Sequence, residues 1–574
     1  MLQSFLPAAG WLKSYNRQEL KADLGAGVMI AFLLIPQGMA YAMLAGLPPV
    51  MGLYASTLPL MLYALFGSSR HLAVGPVAMI SLLVLTGVSP LAEPGSDRYI
   101  QLVLLLSFLI GILQCLLGLL KAGFFIHFVS HAVMSGFSSA AAITIAVSQL
   151  GHLLGIKLPV HPSPFGMVWE AIGRVGETHL LTCFIGVGSV LLLILLKKYA
   201  PKFPAPLLLV AGSILISYLI RLDLHGVRVV GVVPTGLPKW RPPEISLESL
   251  RLLFPVALTI LFVGYMESIS IAKLIAIKER YKIEPDQELR GLGLANLAAS
   301  LFSGYPVTGG FSRTAVNHQA GARTGLASLI TAGLILLTLL FFAPLFYHLP
   351  NAVLAGIVLV AVSGLMDFQK ARHFFKIRPV DGWTWVFTFA TTLIFGGAAG
   401  ILTGIAFSLG LFIWRSSRPH AAELGLLEGE GVFRNVKRFP EARRFPRGLI
   451  LRVDAPLYFA NTKFLEDLIH QNLVERPEAK WVILDCSGVN DMDAVAIDAL
   501  EEIMDAYRGK VRFLFAEMRG PVRDLVERAG WEERYGPRLQ FPSIQQALKE
   551  MEEAKHFPRP EIGRHPNQEG GERC

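Results

Sequence analysis

The stretch Ser303-Gly304-Tyr305-Pro306-Val307-Thr308-Gly309-Gly310-Phe311-Ser312-Arg313 breaks an apolar segment in the second half of the chain. A similar break, Ala73-Val74-Gly75-Pro76-Val77-Ala78, lies in the first half. Glycine and proline interrupt helices, and the residues after each break predict that a helix restarts there. Interrupted segments at matching places in two halves of a membrane protein indicate a substrate site between inverted repeats. The two breaks therefore predict a secondary transporter.

The composition agrees with a membrane protein. Of the 574 residues, 53% are hydrophobic and only 17% are charged, which is more apolar surface than one soluble core needs. The net charge of +9 would suggest nucleic-acid binding in a soluble domain, but here the basic residues follow the predicted membrane topology. The four cysteines are scattered without a CxxC pair and indicate neither a disulfide framework nor a zinc site. We expect no metal, no cofactor and no nucleic-acid partner.

Hydrophobicity predicts fourteen apolar segments, several of them shorter than the ~20 residues that cross a bilayer. They lie near 22–46, 52–66, 74–91, 100–120, 124–155, 179–196, 204–221, 252–276, 290–302, 307–318, 326–347, 350–366, 380–396 and 398–414. The first residues lack the features of a signal peptide, so we expect a cytoplasmic N-terminus, and even-numbered segments should end beside basic residues. Those residues are Arg70, Lys121, Lys197, Lys198, Lys278, Arg280, Arg323, Lys370, Arg372, Lys376, Arg378, Arg415 and Arg418.

The loop at about 222–251 is an exception to this charge pattern, because it holds Arg228, Lys239 and Arg241. It lies where seven segments end and seven begin. Since seven is odd, equivalent segments of the two halves run in opposite directions, which makes an inverted repeat. We therefore predict a cytoplasmic segment at 1–20 and an α-helical polytopic membrane domain at 21–420. Its two repeats would span about 21–221 and about 252–416.

The chemistry of the chain changes after Arg418. Strand-like runs at 448–453 and 481–485 alternate with amphipathic helical patterns at 461–473 and 493–506. The sequence therefore predicts a small soluble α/β domain at 440–555. The tail at 556–574 combines proline, glycine and charge, so we expect it to be disordered.

Several motifs occur in order along the chain. In the membrane domain they are PQGMAYA at 36–42, PVMGLYAS at 49–56, GSSR at 67–70, VGPVA at 74–78, ESISIAK at 267–273 and GFSRTAVN at 310–317. In the soluble domain, LDCSGV at 484–489 is followed by DMD at 491–493. With these motifs the chain resembles the sulfate permease family of anion transporters, and its soluble part resembles the STAS domain that ends such chains.

Two residues depart from the family's pattern. Met51 stands where the family signature usually has tyrosine, which we interpret as a packing difference. Ala494 stands where STAS relatives in sigma-factor regulation carry a phosphorylated serine, so a phosphoserine switch is not expected at that position. The soluble domain is expected to serve in dimer contact or regulation.

The resemblance also implies an architecture and a mode of action. It implies a core and a gate like those of uracil transporters, an elevator-like alternating access, and a homodimer in the cell membrane with both termini in the cytoplasm. An enzyme is not expected, because no nucleophile, base and orienting group converge in the sequence.

The chemistry of the two breaks points to an anion. A helix N-terminus leaves N–H groups unpaired and carries about half a positive charge, so two half-helices that start face to face form an anion site. Gly75, Gly309 and Gly310 would let an anion approach the backbone, although glycines also serve helix packing. A mid-membrane arginine such as Arg313 costs roughly 3 kcal/mol or more unless it is paired or functional. The alternative is that Arg313 only balances Glu267 in an ion pair.

The family resemblance implies which residues surround the anion. These are Gln37, Tyr41, Val77, Ala78, Gly310, Phe311, Ser312 and Arg313. Phe311 is expected to form a wall of the site. Gln37 and Tyr41 follow Pro36, and they either donate hydrogen bonds to the anion or satisfy backbone groups that this proline frees.

Glu267 lies in an apolar run, where an ionised carboxylate is costly unless Arg313 is near. It precedes Gly310 by about as many residues as Gln37 precedes Gly75, so we expect each half to contribute one polar side chain and one helix end. Two helix ends and Arg313 give a site of about +2, which suits a dianion if Glu267 is neutral. An ionised Glu267 lowers this to about +1, which suits bicarbonate or chloride.

The motifs are most similar to the sulfate-transporting branch of the family, and sodium-coupled bicarbonate members tend to have aspartate near the position of Glu267. The expectation is therefore sulfate transport coupled to protons, with Glu267 as the proton-coupling residue. The alternatives are a bicarbonate, dicarboxylate or chloride transporter or exchanger, an anion channel, or an anion sensor that signals through the STAS domain.

Two further patterns carry less weight. His127 and His131 have the spacing of metal ligands on a helix, but no third ligand follows, so they predict no metal site. The run Gly291-Leu292-Gly293 resembles the start of a dinucleotide fingerprint without its strand or its third glycine, and it predicts no cofactor.

Overall fold

The computed structural model describes residues 6–13, 15–124, 130–158, 164–199, 204–428, 430–536 and 539–553. They form two compact units, one that ends at Leu409 and one that begins at Gly410. The tail at 556–574 lies outside the described residues, so its disorder stays a prediction.

The first half of the larger unit follows the predicted apolar segments. Its elements are α1 (Ala8–Lys13), α2 (Arg17–Leu44), α3 (Pro49–Tyr54), α4 (Leu58–Phe66), β1 (Val74–Gly75), α5 (Ala78–Val88), α6 (Asp97–Leu119), α7 (His131–Ser148), α8 (Leu150–Leu154), α9 (Pro164–Gly173), α10 (Leu180–Tyr199) and α11 (Ala205–Ile220), with 3₁₀ turns at Val175–Glu177 and Leu222–His225. Helix α2 begins with a capping box: the Asn16 side chain accepts hydrogen bonds from the Gln18 and Glu19 N–H groups, and the Asn16 N–H donates to the Glu19 carboxylate.

The second half repeats this order. Its elements are α12 (Leu247–Glu279), α13 (Pro285–Leu301), β2 (Thr308–Gly309), α14 (Phe311–Gln319), α15 (Leu326–Leu337), a π-helical turn (Thr338–Phe342), a 3₁₀ helix (Ala343–His348), α16 (Asn351–Ser363), α17 (Phe368–Ile377), α18 (Pro379–Phe395) and α19 (Gly397–Ser416). Within the basic loop at 222–251, Arg241 forms an ion pair with Asp97 at 3.3 Å. One of the basic residues that depart from the charge pattern is therefore paired.

Within the described ranges, each of the fourteen predicted segments overlaps one of these helices or a run of adjoining elements. Among the described residues, nine helices or joined helix pairs are long and apolar enough to cross a membrane. The helices at the two breaks are shorter, as are α11, α13 and α18. The count of fourteen spans therefore stays a prediction. Helices α1, α9 and α17 were not among the predicted segments.

The two breaks meet in a short antiparallel strand pair. Val74 pairs with Gly309, and Gly75 pairs with Thr308. Antiparallel pairing means that the equivalent segments run in opposite directions, as an inverted repeat requires. The two breaks lie far apart in sequence, and their contact in this strand pair is the arrangement that an inverted repeat predicts.

Helices of the larger unit pack in two groups. In the first group α13 packs against α6 and α4, α12 packs against α6, α5 and α14, and α2 packs against α15. In the second group α7 packs against α18 and α17, and α10 packs against α16. The groups meet where α2 and α5 contact α16 and α7.

Small residues allow close contacts within each group. A Cβ at Gly136 would lie 2.5 Å from the Trp385 carbonyl oxygen, and one at Gly293 would lie 2.5 Å from Cys115 Sγ. Gly291 likewise faces the Gly67 backbone, where a Cβ would lie 2.8 Å from Cα. The glycines of the Gly291-Leu292-Gly293 run therefore serve helix packing.

The smaller unit is an α/β domain. Its elements are β3 (Ala421–Leu427), β4 (Val432–Asn435), β5 (Gly448–Val453), α20 (Thr462–Glu475), β6 (Trp481–Asp485), α21 (Ala494–Ala506), β7 (Arg512–Ala516), α22 (Gly520–Arg528), α23 (Trp531–Tyr535), β8 (Gln540–Phe541) and α24 (Ile544–Glu553). The sheet order is β4-β3-β5-β6-β7-β8, and the strands from β5 to β8 are parallel. The predicted strands at 448–453 and 481–485 are confirmed.

Strand β5 shows how the domain builds a core on each face of its sheet. Leu449, Leu451 and Val453 join one apolar cluster, and Ile450 joins the other, because successive side chains of a strand point to opposite faces. Strands β3 and β4 belong to this sheet although they precede residue 440.

Candidate functional site

Helices α5 and α14 begin at the strand pair. The residues before them, Val77 and Gly310, have extended backbones, and neither side chain caps its helix. Because β1 and β2 are antiparallel, the helices leave the pair in opposite directions with their N-termini toward each other. The first N–H groups of each helix have no partner within the helix, and together they carry about half a positive charge. The chain thus brings together the two helix starts that the sequence predicts.

Arg313 lies in the first turn of α14 and is only 3% exposed. Its Nη1 donates a hydrogen bond of 2.6 Å to the Pro76 carbonyl oxygen, which ties α14 to the segment before α5. Its Nε and Nη2 are buried without a hydrogen-bond partner. Burying a charged donor without an acceptor is unfavourable, so this guanidinium is well suited to an anion between the helix starts.

Gly310 is required for the position of this arginine. A Cβ at residue 310 would lie 2.9 Å from the guanidinium carbon and from Nη2 of Arg313. A Cβ at Gly309 would lie 2.6 Å from a methyl carbon of Leu72. These glycines therefore do more than interrupt the helical segment, because a side chain at either position would displace a neighbour at the site.

Glu267 on α12 faces the same region. Its carboxylate lies near the backbone of Phe311 and near the charge of Arg313, and its Oε2 is buried without a hydrogen-bond partner. The ion pairs of the described residues do not include one between Glu267 and Arg313 within 4.0 Å. A simple structural ion pair therefore does not explain either residue.

The other predicted residues surround this centre to different degrees. Tyr41 is buried within electrostatic range of Arg313 and Glu267. Val77 and Ala78 are also buried, whereas Phe311 is 49% exposed. Ser312, beside it in the first turn of α14, is exposed.

Gln37 and Tyr41 do not fill the alternative role that the sequence left open. In the described part of the chain, neither side chain makes a hydrogen bond, so neither satisfies a backbone group freed by Pro36. Gln37 is half-buried on the same helix, one turn before Tyr41. Both polar groups are available to an anion.

A network that sequence reasoning missed holds β2 in place. The Gly309 N–H donates to Ser268 Oγ at 2.8 Å, and Thr308 Oγ1 donates to the Gly264 carbonyl oxygen at 2.6 Å. Ser268 is the neighbour of Glu267, so one turn of α12 carries both the anchor of β2 and the carboxylate. The sequence signal that could have indicated this network is the ESISIAK motif at 267–273, which contains both Glu267 and Ser268.

A second anchor lies before β2. Asn296 Oδ1 accepts a hydrogen bond of 2.8 Å from the Val307 N–H, and its Nδ2 donates to Gln114 Oε1 at 2.9 Å. All three residues are buried. Single polar residues in apolar helices gave no sign of this pairing, because their partners lie far away in sequence.

A cavity of about 450 Å³ reaches the site from one side. Met79, Glu267 and Phe311 line it next to the helix starts, and Ser135, Lys370 and His373 line the opposite wall. The wall residues belong to α7 and α17, which lie at segment ends predicted to be cytoplasmic. His131 also lines this cavity, His127 lies outside the described residues, and the described residues contain no group of three or more metal-ligating side chains.

Comparisons with known proteins assign the chain to a family. The sequence pattern of the sulfate permease family matches residues 20–388, and that of the STAS domain matches residues 439–547. The chain belongs to the sulfate permease family. It is therefore an anion transporter of the membrane with a C-terminal STAS domain, and the predicted family and fold class are confirmed.

A curated relative extends the match over almost the whole chain. The chain is 38% identical to "Sulfate transporter 4.1, chloroplastic" of Arabidopsis thaliana over 570 residues, which cover 96% of this chain and 82% of the relative.

Solved structures share the fold. The murine Solute Carrier 26 family member A9 anion transporter in the inward-facing state matches with a TM-score of 0.88 and 24% identity, covering 96% of this chain and 94% of that chain. The transmembrane domain of a cyanobacterium bicarbonate transporter, BicA, matches with a TM-score of 0.58 and 24% identity, covering 69% of this chain and 99% of that chain.

Proposed function

We propose that this protein is a secondary active transporter that carries sulfate together with protons. The observation that carries the proposal is the buried Arg313 guanidinium with two unpartnered nitrogens beside two uncapped helix starts. Helix N-termini and arginine are both preferred binding groups for oxyanions. The proposed ligands are Gln37, Tyr41, Val77, Ala78, Gly310, Phe311, Ser312 and Arg313.

The charge of the site favours a dianion with a proton. Two helix starts of about +0.5 each and Arg313 sum to about +2. Sulfate balances this charge only when Glu267 is protonated. Oε2 of Glu267 is buried without a hydrogen-bond or ion-pair partner among the described residues, and because such burial is costly for a charged carboxylate it supports a carboxyl group that is neutral when sulfate is bound. The name of the Arabidopsis relative also supports sulfate as the substrate.

We further propose an elevator-like movement of one helix group against the other. The proposed ligands lie on α2, α5 and α14, and Glu267 lies on α12, all within the first packing group. The far wall of the cavity belongs to α7 and α17, outside that group. A site carried by one group and closed by the other would be exposed to each side in turn as the groups slide.

The basic residues at the ends of even-numbered segments support cytoplasmic termini and a cytoplasmic STAS domain. Location in the cell membrane and assembly as a homodimer rest on the family resemblance.

Uptake by proteoliposomes tests the proposal. The purified protein is reconstituted, and labelled sulfate or labelled bicarbonate is offered under an imposed inward proton gradient, an inward sodium gradient, or neither. We expect concentrative sulfate uptake only with the proton gradient. Bicarbonate uptake would instead support the substrate named for the cyanobacterial transporter, and its dependence on the sodium gradient would show coupling to sodium. Currents far above carrier turnover without accumulation would identify a channel, and no uptake of any anion would favour a sensor.

A further inference from the structure

An apolar groove opens on the larger unit between α11 and the 3₁₀ helix that follows α15. Its volume is about 810 Å³, and none of the proposed transport ligands lines it. Ala211 and Leu215 of α11 belong to one wall, Leu345 and Tyr347 belong to the other, and residues 232–235 complete the lining. A groove of this size and character accommodates an apolar molecule or the apolar part of a larger one.

The second wall exists because α15 does not continue as a regular helix. A π-helical turn at Thr338–Phe342 leads into the 3₁₀ helix, which has Pro344 in its first turn. In a 3₁₀ helix residues three apart lie above one another, so Pro344 and Tyr347 form one row and Leu345 and His348 form the next. All four line the groove. Such π-helical turns within membrane helices are frequent at functional sites.

The proposed topology places this groove at the extracytoplasmic edge of the membrane. Helices α11 and α15 begin after Lys198 and Arg323, which mark the cytoplasmic side, and the groove lies toward their other ends. The groove also continues into the lipid-facing surface of α11, where Leu215 and Leu219 are each more than half exposed. Lipid chains therefore reach the groove without crossing any polar surface.

One polar group of the groove has no partner. His348 lines the groove, and its Nδ1 is buried without a hydrogen-bond partner among the described residues. Edge-on contacts hold its ring, whose centre lies 5.4 Å from that of Tyr218 and 4.9 Å from that of Tyr347. A neutral imidazole carries a hydrogen on one of its two nitrogens, so Nδ1 can donate to an acceptor on a bound molecule. A histidine that served only to pack against the two tyrosines would leave this nitrogen at a cost.

A cation follows the aromatic residues along α11. Arg221 ends the helix one turn beyond Tyr218, and its side chain is exposed and forms no ion pair within the part of the chain that the structure describes. Arginine near the end of a membrane helix extends to the headgroup region of the bilayer. The chemistry along this surface thus changes from apolar groove to hydrogen-bond donor to cation. A phospholipid has the complementary order of acyl chain, ester carbonyl and phosphate.

We propose that the groove is a specific binding site for one phospholipid of the extracytoplasmic leaflet. An acyl chain fills the groove, an ester carbonyl accepts a hydrogen bond from His348 Nδ1, and the phosphate lies beside Arg221. Lipids that surround a convex helix surface meet neither a groove nor a buried donor, so this lipid should exchange more slowly than its neighbours. The bound lipid would span α11 and the 3₁₀ helix, which pack against each other.

Native mass spectrometry of the purified full-length protein tests the proposal. The protein is stripped of lipid by detergent exchange and titrated with dioleoylphosphatidylglycerol or with its diether analogue, which lacks the ester carbonyls. Ala211→Phe fills the groove from an exposed position, and His348→Phe keeps an aromatic ring but removes the nitrogen. The matched control is Ala399→Phe, at an exposed alanine of α19 that does not line the groove.

We expect the wild type and the control to bind one diester lipid per chain, and Ala211→Phe to bind it about tenfold more weakly or worse. His348→Phe should bind the diester lipid as weakly as the wild type binds the diether lipid. Arg313→Ala should keep the lipid, which separates this groove from the anion site.

Three results would overturn the proposal. The first is equal affinity of the wild type and Ala211→Phe for the diester lipid, or no binding by the wild type. The second is equal affinity of the wild type for the diester and diether lipids, which would exclude the ester contact. The third is a loss of dimer by Ala211→Phe without a loss of lipid, which would assign the groove to a second copy of the chain.

Discussion

At the scale of the residue, one side chain decides the coupling of the proposed transport. Glutamine at position 267 has the shape and neutrality of a protonated glutamate but cannot release a proton. We therefore predict that Glu267→Gln still binds sulfate and exchanges it for sulfate, because exchange moves no net proton. The same variant should fail to accumulate sulfate under an inward proton gradient. Labelled sulfate uptake and counterflow in proteoliposomes measure the two activities separately.

The control for this prediction is Glu279→Gln on the same helix. Glu279 is partly exposed and pairs with His318 at 2.8 Å, away from the proposed ligands. Its replacement should leave proton-driven accumulation intact. Full accumulation by Glu267→Gln would show that the carboxylate is structural and would contradict the coupling, although the anion site itself would stand.

At the scale of the element, the start of α14 depends on a glycine. Gly310→Ala would place a methyl group 2.9 Å from the Arg313 guanidinium. The far end of a flexible side chain can move away, so we expect the protein to stay folded while the guanidinium leaves its position. Sulfate affinity should fall about tenfold or more, because bonds from a charged donor are lost. Equilibrium binding in detergent measures this effect.

Gly333→Ala is the matched control, because a Cβ at this position in α15 meets nothing within 4 Å. It should bind sulfate with the affinity of the wild type. Normal binding by Gly310→Ala would mean that Arg313 does not contact the anion from its observed position.

Strand β2 depends on a hydroxyl group of α12. Ser268→Ala would leave the buried Gly309 N–H without its acceptor, which costs about 1–3 kcal/mol. We expect a lower unfolding temperature and a weaker affinity for sulfate, since β2 holds the start of α14. Ser213→Ala removes a hydroxyl that bonds only to the carbonyl of Val210 in its own helix, and it should change neither quantity. Thermal unfolding in detergent with and without sulfate tests both variants; equal behaviour of the two would show that the anchor is dispensable.

At the scale of the whole molecule, we expect anion binding to depend on the larger unit alone and not on the STAS domain. Every proposed ligand lies before residue 320, within the unit that ends at Leu409. Truncation after Pro419 removes the STAS domain from its first strand onward. Truncation near residue 440 would instead leave the β3–β4 hairpin without β5, and the exposed edge of β3 would be prone to aggregation. We predict that the shorter protein binds sulfate with unchanged affinity. A well-folded truncation that has lost binding would show that the STAS domain completes the site.

The sequence alone predicted the parts of this molecule that depend on local pattern. Composition and periodicity predict the breaks around Gly75 and Gly309, the helices after them and the alternating strands of the soluble domain. The inverted repeat followed from an odd number of segments, and the antiparallel pairing of β1 with β2 agrees with it.

What the sequence did not reveal depends on contacts between distant residues. Arg313 bonds to Pro76, and Asn296 bonds to Gln114, across separations that no periodicity encodes. The ion pair of Glu267 with Arg313 stayed open as an alternative, because spacing places two residues in one region but does not set the distance between their atoms. Strand β3 escaped prediction because it follows a membrane helix directly, and β4 because it has only four residues.

In the proposed transport site, an anion binds between the two helix starts and against Arg313. Equilibrium binding of labelled sulfate to the purified protein, wild type against Arg313→Ala, tests it most directly. Arg323→Ala is the control, since Arg323 is 62% exposed at the side chain. We predict that Arg313→Ala stays folded and binds sulfate at least about tenfold more weakly, while the control binds as the wild type does. Unchanged sulfate affinity in a folded Arg313→Ala protein would contradict an anion site at Arg313.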